Sequence, residues 1–574
     1  MNKTEKLICF VLAALLAGYI FMESGKRKEA APAVAAASTN EVQAAAQAPA
    51  AVPAAPVAEP VPAKPVDPAV PEKTVVLEND QLRLELSSWG AVVKKVTLKE
   101  YARDRGAISD SNPALEFDFS SSPLGALGGV DGVAANAAYR VGETGSNSVV
   151  FACGHVLRKV TLDKDYRIVY EEKFAGADAG ENTLSLGVVA MGAGKNDMLS
   201  VDSWSLGGDG GKVIHHCEGD SPLKAYLVGG MGGCSGSSSA AGLPRTVAVP
   251  YAGAQKWVAL KNRFFAAALV SSSEANLGFD AEIARDMKSS DYRPESISAK
   301  ARFASLPGER TSVFYVGPKK QSVLWDLGMK DVMEFGMWRW ICYSVVWLLD
   351  FCHDYVPSYG IAIILLTLLV RILFWPLTHK STVGMKKMQE LQPKLKAIQA
   401  QFKDNPQRLQ QETWALYRDA KVNPMSSCLP MLVQIPVFIA LFNVLRSAVE
   451  LRYAPFLWIA DLSEPEGLFA SWFPFGGLNI LPIFMAATMA LQSALTPSTG
   501  DKNQQKMMIV FMPIMMLFMF YSFPSALSLY WTLSQVLSIW QMWLIRRSTA
   551  RKTANAVMPE VIDPPQTRQM RRHG

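Results

Sequence analysis

One arginine dominates the chemistry this chain can do. Arg371 stands inside the apolar run IAIILLTLLVRILFWPL, where an ionised side chain costs from about 2.5 to 17 kcal/mol depending on the reference state and needs a partner or water. Two readings follow. The side chain can snorkel along its own stem to the nearer membrane surface, or it can be the fixed positive charge of a hydrated cavity. Thr367 lies four residues earlier, on the same helical face. Gln434, Gln492 and Gln535 place one polar residue in each of three further apolar segments. A lone glutamine of this kind is ordinary interhelical glue. Polar residues in four segments of one bundle favour an internal polar surface. No nucleophile–base constellation and no nucleotide-binding motif accompany them, so neither covalent chemistry nor a cofactor is expected. LGGDGGK falls one residue short of a phosphate-binding loop and is not followed by Ser or Thr. His215 and His216 beside Cys217 match no metal-ligand spacing.

The elements that must position these residues are helices in a membrane. The chain of 574 residues is too long for one core. Only 19 % of it is charged, against about 25 % in a typical soluble protein. Long apolar runs crowd the C-terminal part, which excludes a plain cytosolic enzyme and a disordered scaffold. The run 332–351, rich in Trp and Met and carrying Glu334, Arg339 and Asp350, predicts an interfacial amphipathic helix. Five spans are predicted at Tyr359–Leu377, Cys428–Val449, Leu478–Leu495, Met507–Phe523 and Leu527–Ile545, several of them near the short end of the spanning range of about 17–25 residues. The loop 378–423 carries nine Lys or Arg against four acids, and the tail from Arg546 seven against two. The loop 450–477 has one Arg against four acids. Positive charge collects on the cytoplasmic side, so the long loop and both termini are expected inside. The net charge of +6 is small for this length and argues for no sequence-specific nucleic acid.

The remainder reads as follows. Leu7 to Met22 is an apolar run behind Lys3 and Lys6, expected to be an uncleaved signal anchor within residues 1–29, with a signal peptide as the alternative. Residues 30–72, rich in Ala, Pro and Val, are a linker. Period-two alternation with turn residues between the runs predicts a large antiparallel β-sandwich over 73–318. A connecting and interfacial segment occupies 319–357, a helical core 358–547, and a basic tail 548–574. Within the core, Met385, Met388, Leu391, Leu395, Ile398 and Phe402, and then Leu409, Thr413, Leu416 and Tyr417, recur at helical steps about the turn 403–406. This predicts a helical hairpin over 378–424 with a basic exterior that includes Lys386, Lys387, Lys394 and Lys396. Such a surface suits anionic lipid, a ribosome or a nascent chain; a solvated coiled coil without a partner is the plainer reading. The methionines of the fourth span suit a surface that accepts many apolar shapes, or ordinary lipid-facing packing. Of seven cysteines, Cys153, Cys217 and Cys234 fall in the soluble part, where at most one disulfide can form, with Cys217 and Cys234 closest in sequence.

The segments GIAIILLTLLVR, FWPLTHKS, LQPKLKAIQAQFKDNPQRLQQE, LYRDAKVNP, CLPMLVQIPVFIALFNVLR, ELRYAPFLWIADLS and LSLYWTLSQVLSIWQ resemble the YidC-type membrane protein insertases of Gram-negative bacteria, from about 320 to 547. The resemblance implies a polytopic α-helical membrane domain, with one N-terminal anchor plus a five-helix core and a cytoplasmic hairpin, beneath a large extracytoplasmic all-β supersandwich. It further implies a groove open to the cytoplasm and lipid and closed to the outside. Arg371 matches the groove arginine, Thr367 and Trp531 match positions facing it, and Gln434 and Gln492 fall on polar groove positions. Implied partners are nascent membrane proteins, the Sec translocon, the ribosome and the bilayer, with insertion running without nucleotide hydrolysis. The chain departs from the family pattern at Ser426-Ser427, at Ser525-Ala526 and at SQV 534–536. Two other classes remain open from the residues alone. A secondary transporter predicts repeated halves, of which the sequence shows none, and a purely structural assembly factor leaves the polar groove unexplained.

Overall fold

The computed structural model describes residues 71–556 except 176–180, 191–198, 206–211, 217–245, 253–254, 272–275, 286–293, 305–307, 404, 421, 423–428, 470–476 and 496–505. The expected N-terminal anchor, almost all of the linker, the Cys217–Cys234 pair and most of the basic tail lie outside the described residues. So do the side chains of Met385 and Lys386.

Strands run from Thr74 to Pro318, and every pairing among them is antiparallel. Among the described residues they form sheets of four, five and nine strands. Alternation decides the buried face: in Val156–Leu162, Val156, Arg158, Val160 and Leu162 point inward. Arg158 is the anomaly in that row, a charge where the pattern calls for an apolar side chain. Its Nε donates to Glu172 at 2.9 Å and its other nitrogens to Gly90 O at 2.7 Å and Gly125 O at 2.5 Å. Arg310 takes the second oxygen of Glu172 at 2.6 Å and donates to Asn182 Oδ1 at 2.9 Å. Glu172, Arg158 and Arg310 are all within 1 % of complete burial. This group joins the nine-stranded sheet to segments of the other two. Gly125 must be glycine: its φ is +79°, and a Cβ would come within 2.7 Å of Tyr170.

The helices follow: α1 (Gln321–Asp326), α2 (Arg339–Tyr355), α3 (Tyr359–Gln401), α4 (Pro406–Asp419), α5 (Leu429–Ser447), α6 (Ile480–Leu495), α7 (Met512–Phe520), which a π-helical turn Met507–Phe511 precedes, and α8 (Ser525–Ala556). Among the described residues, 359–384 is the one stretch long and apolar enough to cross a membrane, with shorter apolar helices at Gln434–Ser447, Ile480–Leu495 and Ile509–Phe520. One expected boundary is corrected, and two helices run past the limits expected for their membrane segments. The interfacial helix starts at Arg339 and not at Val332, because Glu334 (φ +53°) and Gly336 (φ +58°) are left-handed and interrupt any helix between short 3-10 turns. The helix that holds the first expected span runs on beyond Leu377. α3 continues unbroken through Pro376 and Pro393 into the first arm of the hairpin. Likewise α8 extends into the expected basic tail and reaches Ala556. Charge marks where a membrane surface should lie, but helix continuation depends on backbone hydrogen bonds that basic residues do not break.

The second arm of the expected hairpin begins at Pro406. Asn405 caps α4 by accepting from Arg408 N at 3.1 Å, and Pro406 occupies the first helical position. No α4 side chain is fully buried, so this helix depends heavily on its cap. Asn405→Ala is expected to cost about 1 kcal/mol, read as faster amide exchange over 406–419. Unchanged exchange there contradicts it.

The β-domain and the helices share one continuous core through Leu324, Met329, Val332 and Phe335. Lys261, 3 % exposed, joins Asp202, Glu334 and Val332 O. Burial alone pulls the pKa of its ammonium down, but the two carboxylates hold it above the usual lysine value. Arg263, equally buried, donates to Arg446 O at 2.7 Å, Ser463 O at 2.5 Å and Glu464. Arg452 returns the link by donating to Ala102 O and Arg103 O. Arg263→Ala leaves a carboxylate and two carbonyls without this donor. A loss of about 2–3 kcal/mol is expected, seen as faster amide exchange in 446–464 while the β-domain centre stays protected.

Candidate functional site

Arg371 lies twelve residues into α3, about 18 Å along the axis from the end nearest the β-domain. Its Nε donates to Ser534 Oγ of α8 at 3.0 Å, and a terminal nitrogen donates to the same oxygen. The side chain is therefore turned into the bundle and is not snorkelling along its own helix. It makes no ion pair among the described residues. One hydroxyl uses two of the five guanidinium donors and cancels none of the charge.

Ser534 has a neighbour one turn earlier on its helix. Tyr530 is buried, and its hydroxyl accepts from Gln434 Nε2 of α5 at 3.2 Å. Two further bonds leave the same helix. Gln535 Oε1 accepts from Thr488 Oγ1 of α6 at 2.6 Å, and Gln541 Nε2 donates to Thr378 Oγ1 of α3 at 2.9 Å. Thus α8 is the hub of the polar interior, with a polar link to each of α3, α5 and α6. Sequence reasoning passed over Tyr530, Ser534 and Gln541. The available signal was the spacing 530, 534, 541 of polar residues along an apolar helix.

The other expected groove positions divide. Thr367 is fully buried, and its hydroxyl donates to Ile363 O of its own helix at 2.6 Å. Gln434 joins the Arg371 group through Tyr530. Gln492 is half-buried on α6, one turn beyond Thr488. Trp531 packs among aromatics, 4.9 Å from the ring centre of Phe438 and 5.6 Å from that of Phe520, with Phe442 and Phe523 adjoining. Its buried indole N–H has no hydrogen-bond partner among the described residues. This aromatic layer lies on the β-domain side of Ser534, because α8 runs from that end.

Beyond the layer, described residues of the loop from Val449 are hydrogen-bonded to the helix ends. Glu466 accepts from Ile480 N at 2.8 Å and Leu481 N at 2.7 Å, capping α6 at its positive end. Ser525, at the start of α8, bonds Glu464 O through both its N–H and its hydroxyl. Asn479 donates to Tyr521 O at 2.6 Å. At the opposite end, Lys387, Lys394 and Lys396 are exposed on the hairpin, and Met388 is half-buried.

The outer faces of the helices are apolar. Ile372 is 66 % exposed, Phe484 55 %, Phe518 77 % and Trp540 52 %, far more than a water-soluble bundle tolerates. Of the fourth-span methionines, Met507, Met515 and Met519 are exposed, while Met516 packs against the core.

Comparison with known proteins places the two parts. The family described as "60Kd inner membrane protein" matches residues 351–552, and "YidC periplasmic domain" matches 245–348. The membrane protein insertase YidC of Syntrophus aciditrophicus is 40 % identical over 297 residues, 51 % of this chain and 52 % of that one. That match spans about half the length of the relative. The corresponding protein of Chloroherpeton thalassium is 31 % identical over 508 residues, 83 % of each chain. A solved structure described as an active YidC insertase with its first transmembrane domain resolved covers 83 % of this chain and 94 % of its own, at 18 % identity and a TM-score of 0.32.

Proposed function

We propose a mechanism for a chain that belongs to the YidC family of membrane protein insertases: it receives nascent membrane proteins at the hairpin face and releases their apolar segments into lipid past Arg371. The observation that carries the reading is an arginine held inside an apolar bundle by a hydroxyl, with no carboxylate to neutralise it among the described residues. The expected location is the bacterial inner membrane, with both termini cytoplasmic and the β-domain periplasmic. The count of six spans, five of them in the core, belongs to the same proposal.

A short polar tail of the incoming protein enters from the cytoplasmic side, where the basic hairpin meets it. An acidic tail is drawn to the guanidinium through a medium of lower dielectric than water. Its apolar segment meanwhile leaves along the exposed helix faces. Each buried methylene contributes about 0.8 kcal/mol, so a whole span outweighs the transfer of a few polar residues. The aromatic layer about Trp531 and the pinned loop above it stop water from crossing. Arg371 therefore shortens the dry path for the tail without opening a pore. Cooperation with the Sec translocon and delivery by a ribosome belong to the same proposal.

The test uses purified protein in sealed liposomes without nucleotide. Protease protection of a small single-span protein is expected in its presence and not in empty vesicles. No protection in either points to a transporter or a scaffold, and solute flux then separates those two.

A further inference from the structure

We propose that the apolar groove between α6 and α8 binds one acyl chain of an anionic phospholipid, with its headgroup held by Arg547. The proposal rests on the membrane placement given above. The groove, about 350 Å³, is lined by Leu495 of α6 and by Val536, Ile539, Trp540, Met542 and Trp543 of α8. Among the described residues, the α8 face at Val536, Trp540 and Trp543 is 45–52 % exposed.

Depth and charge select the occupant. Trp540 meets Trp375 of α3 edge-on at 6.2 Å, and Gln541 bonds Thr378, immediately before His379 and Lys380. The groove mouth thus lies where the apolar run gives way to basic residues, the level that indole rings favour. Along α8 the apolar wall from Val536 to Trp543 covers about 10 Å, and Arg547 stands about 6 Å further on. Its guanidinium sits over the Trp543 ring at 5.2 Å and makes no ion pair among the described residues. The ring holds the cation above the mouth, and the planar guanidinium fits a phosphate bidentately. Arg546, Arg551 and Lys552 add positive charge to the same helix end. A zwitterionic lipid brings its own ammonium into this field, whereas an anionic lipid does not.

The measurement is native mass spectrometry of the full chain from equimolar phosphatidylglycerol and phosphatidylcholine. The wild type is expected to retain phosphatidylglycerol preferentially. Arg547→Gln is expected to lower the preference about five-fold, equivalent to about 1 kcal/mol, and Arg547→Lys to restore part of it. Leu495→Trp, which fills the groove, is expected to remove retained lipid of both kinds. No preference in the wild type, or a preference that survives Arg547→Gln, overturns the proposal. Retention that survives Leu495→Trp overturns it as well, since the headgroup is then held without the groove. Insertion measured on the same preparations reports the insertase reading separately.

Discussion

Arg371→Ala is expected to reduce insertion of a single-span protein with a short acidic tail by roughly thirty-fold. The figure is the Coulomb attraction of about 2 kcal/mol between unit charges some 8 Å apart at an effective dielectric near 20. A tail without acids never had this attraction, so its insertion should fall less than about three-fold. Arg371→Lys keeps the charge but replaces the planar fork with a strongly hydrated ammonium, and an intermediate result is expected. Ser534→Ala removes the oxygen that Arg371 donates to while leaving the charge in place. Its effect should be a few-fold and should follow the acidic tail. The measurement is the protease-protected fraction across these variants, with tails of zero, one and two acids. Equal losses for acidic and neutral tails would assign Arg371 to the packing of α3 against α8 and end the electrostatic account.

Glu172→Gln should produce the largest loss of stability in the molecule. Glu172 is shared by Arg158 and Arg310, all three buried to within 1 %. Removing its charge strands two guanidinium ions where water cannot reach them, a loss of about 3–5 kcal/mol when one partner of a buried pair is lost. For a domain of this size the β-sheet melting midpoint should fall by about 10 °C. Combining Glu172→Gln with Arg158→Met and Arg310→Leu in one triple variant is expected to recover much of the loss, because no unpaired charge then remains. The readout is thermal unfolding of the full chain followed by β-sheet circular dichroism. A midpoint within 2 °C of wild type, the effect of about 1 kcal/mol at most, would mean that water or another group reaches the arginines.

Much of this architecture was legible from local pattern. Alternation placed strands between Thr74 and Pro318, and helical spacing together with Asn405-Pro406 marked the hairpin turn. That α3 and α8 run on past 377 and 547 was not legible from apolar pattern and charge, because helix continuation depends on backbone hydrogen bonds that basic residues do not break. Arg158 shows a different limit. In sequence it is one more basic residue in VLRKVTL, and its burial follows from Glu172 and two backbone carbonyls that only the folded sheets bring to it.

By itself the sequence determined that the chain has an all-β part and an apolar helical part, and that an arginine stands inside one of the helices. Those properties follow from residue spacing and from the cost of placing a charge among apolar side chains. Only the tertiary structure decided what Arg371 faces. Its partner is Ser534, and Tyr530 and Gln434 extend that contact to a third helix. Trp531, one residue from Tyr530, turns instead into the aromatic layer. Adjacent helical residues point about 100° apart, so the rotation of α8 in the bundle settles which of them meets the arginine. That rotation is fixed by packing against α3, α5 and α6 together, and no single segment of sequence contains it.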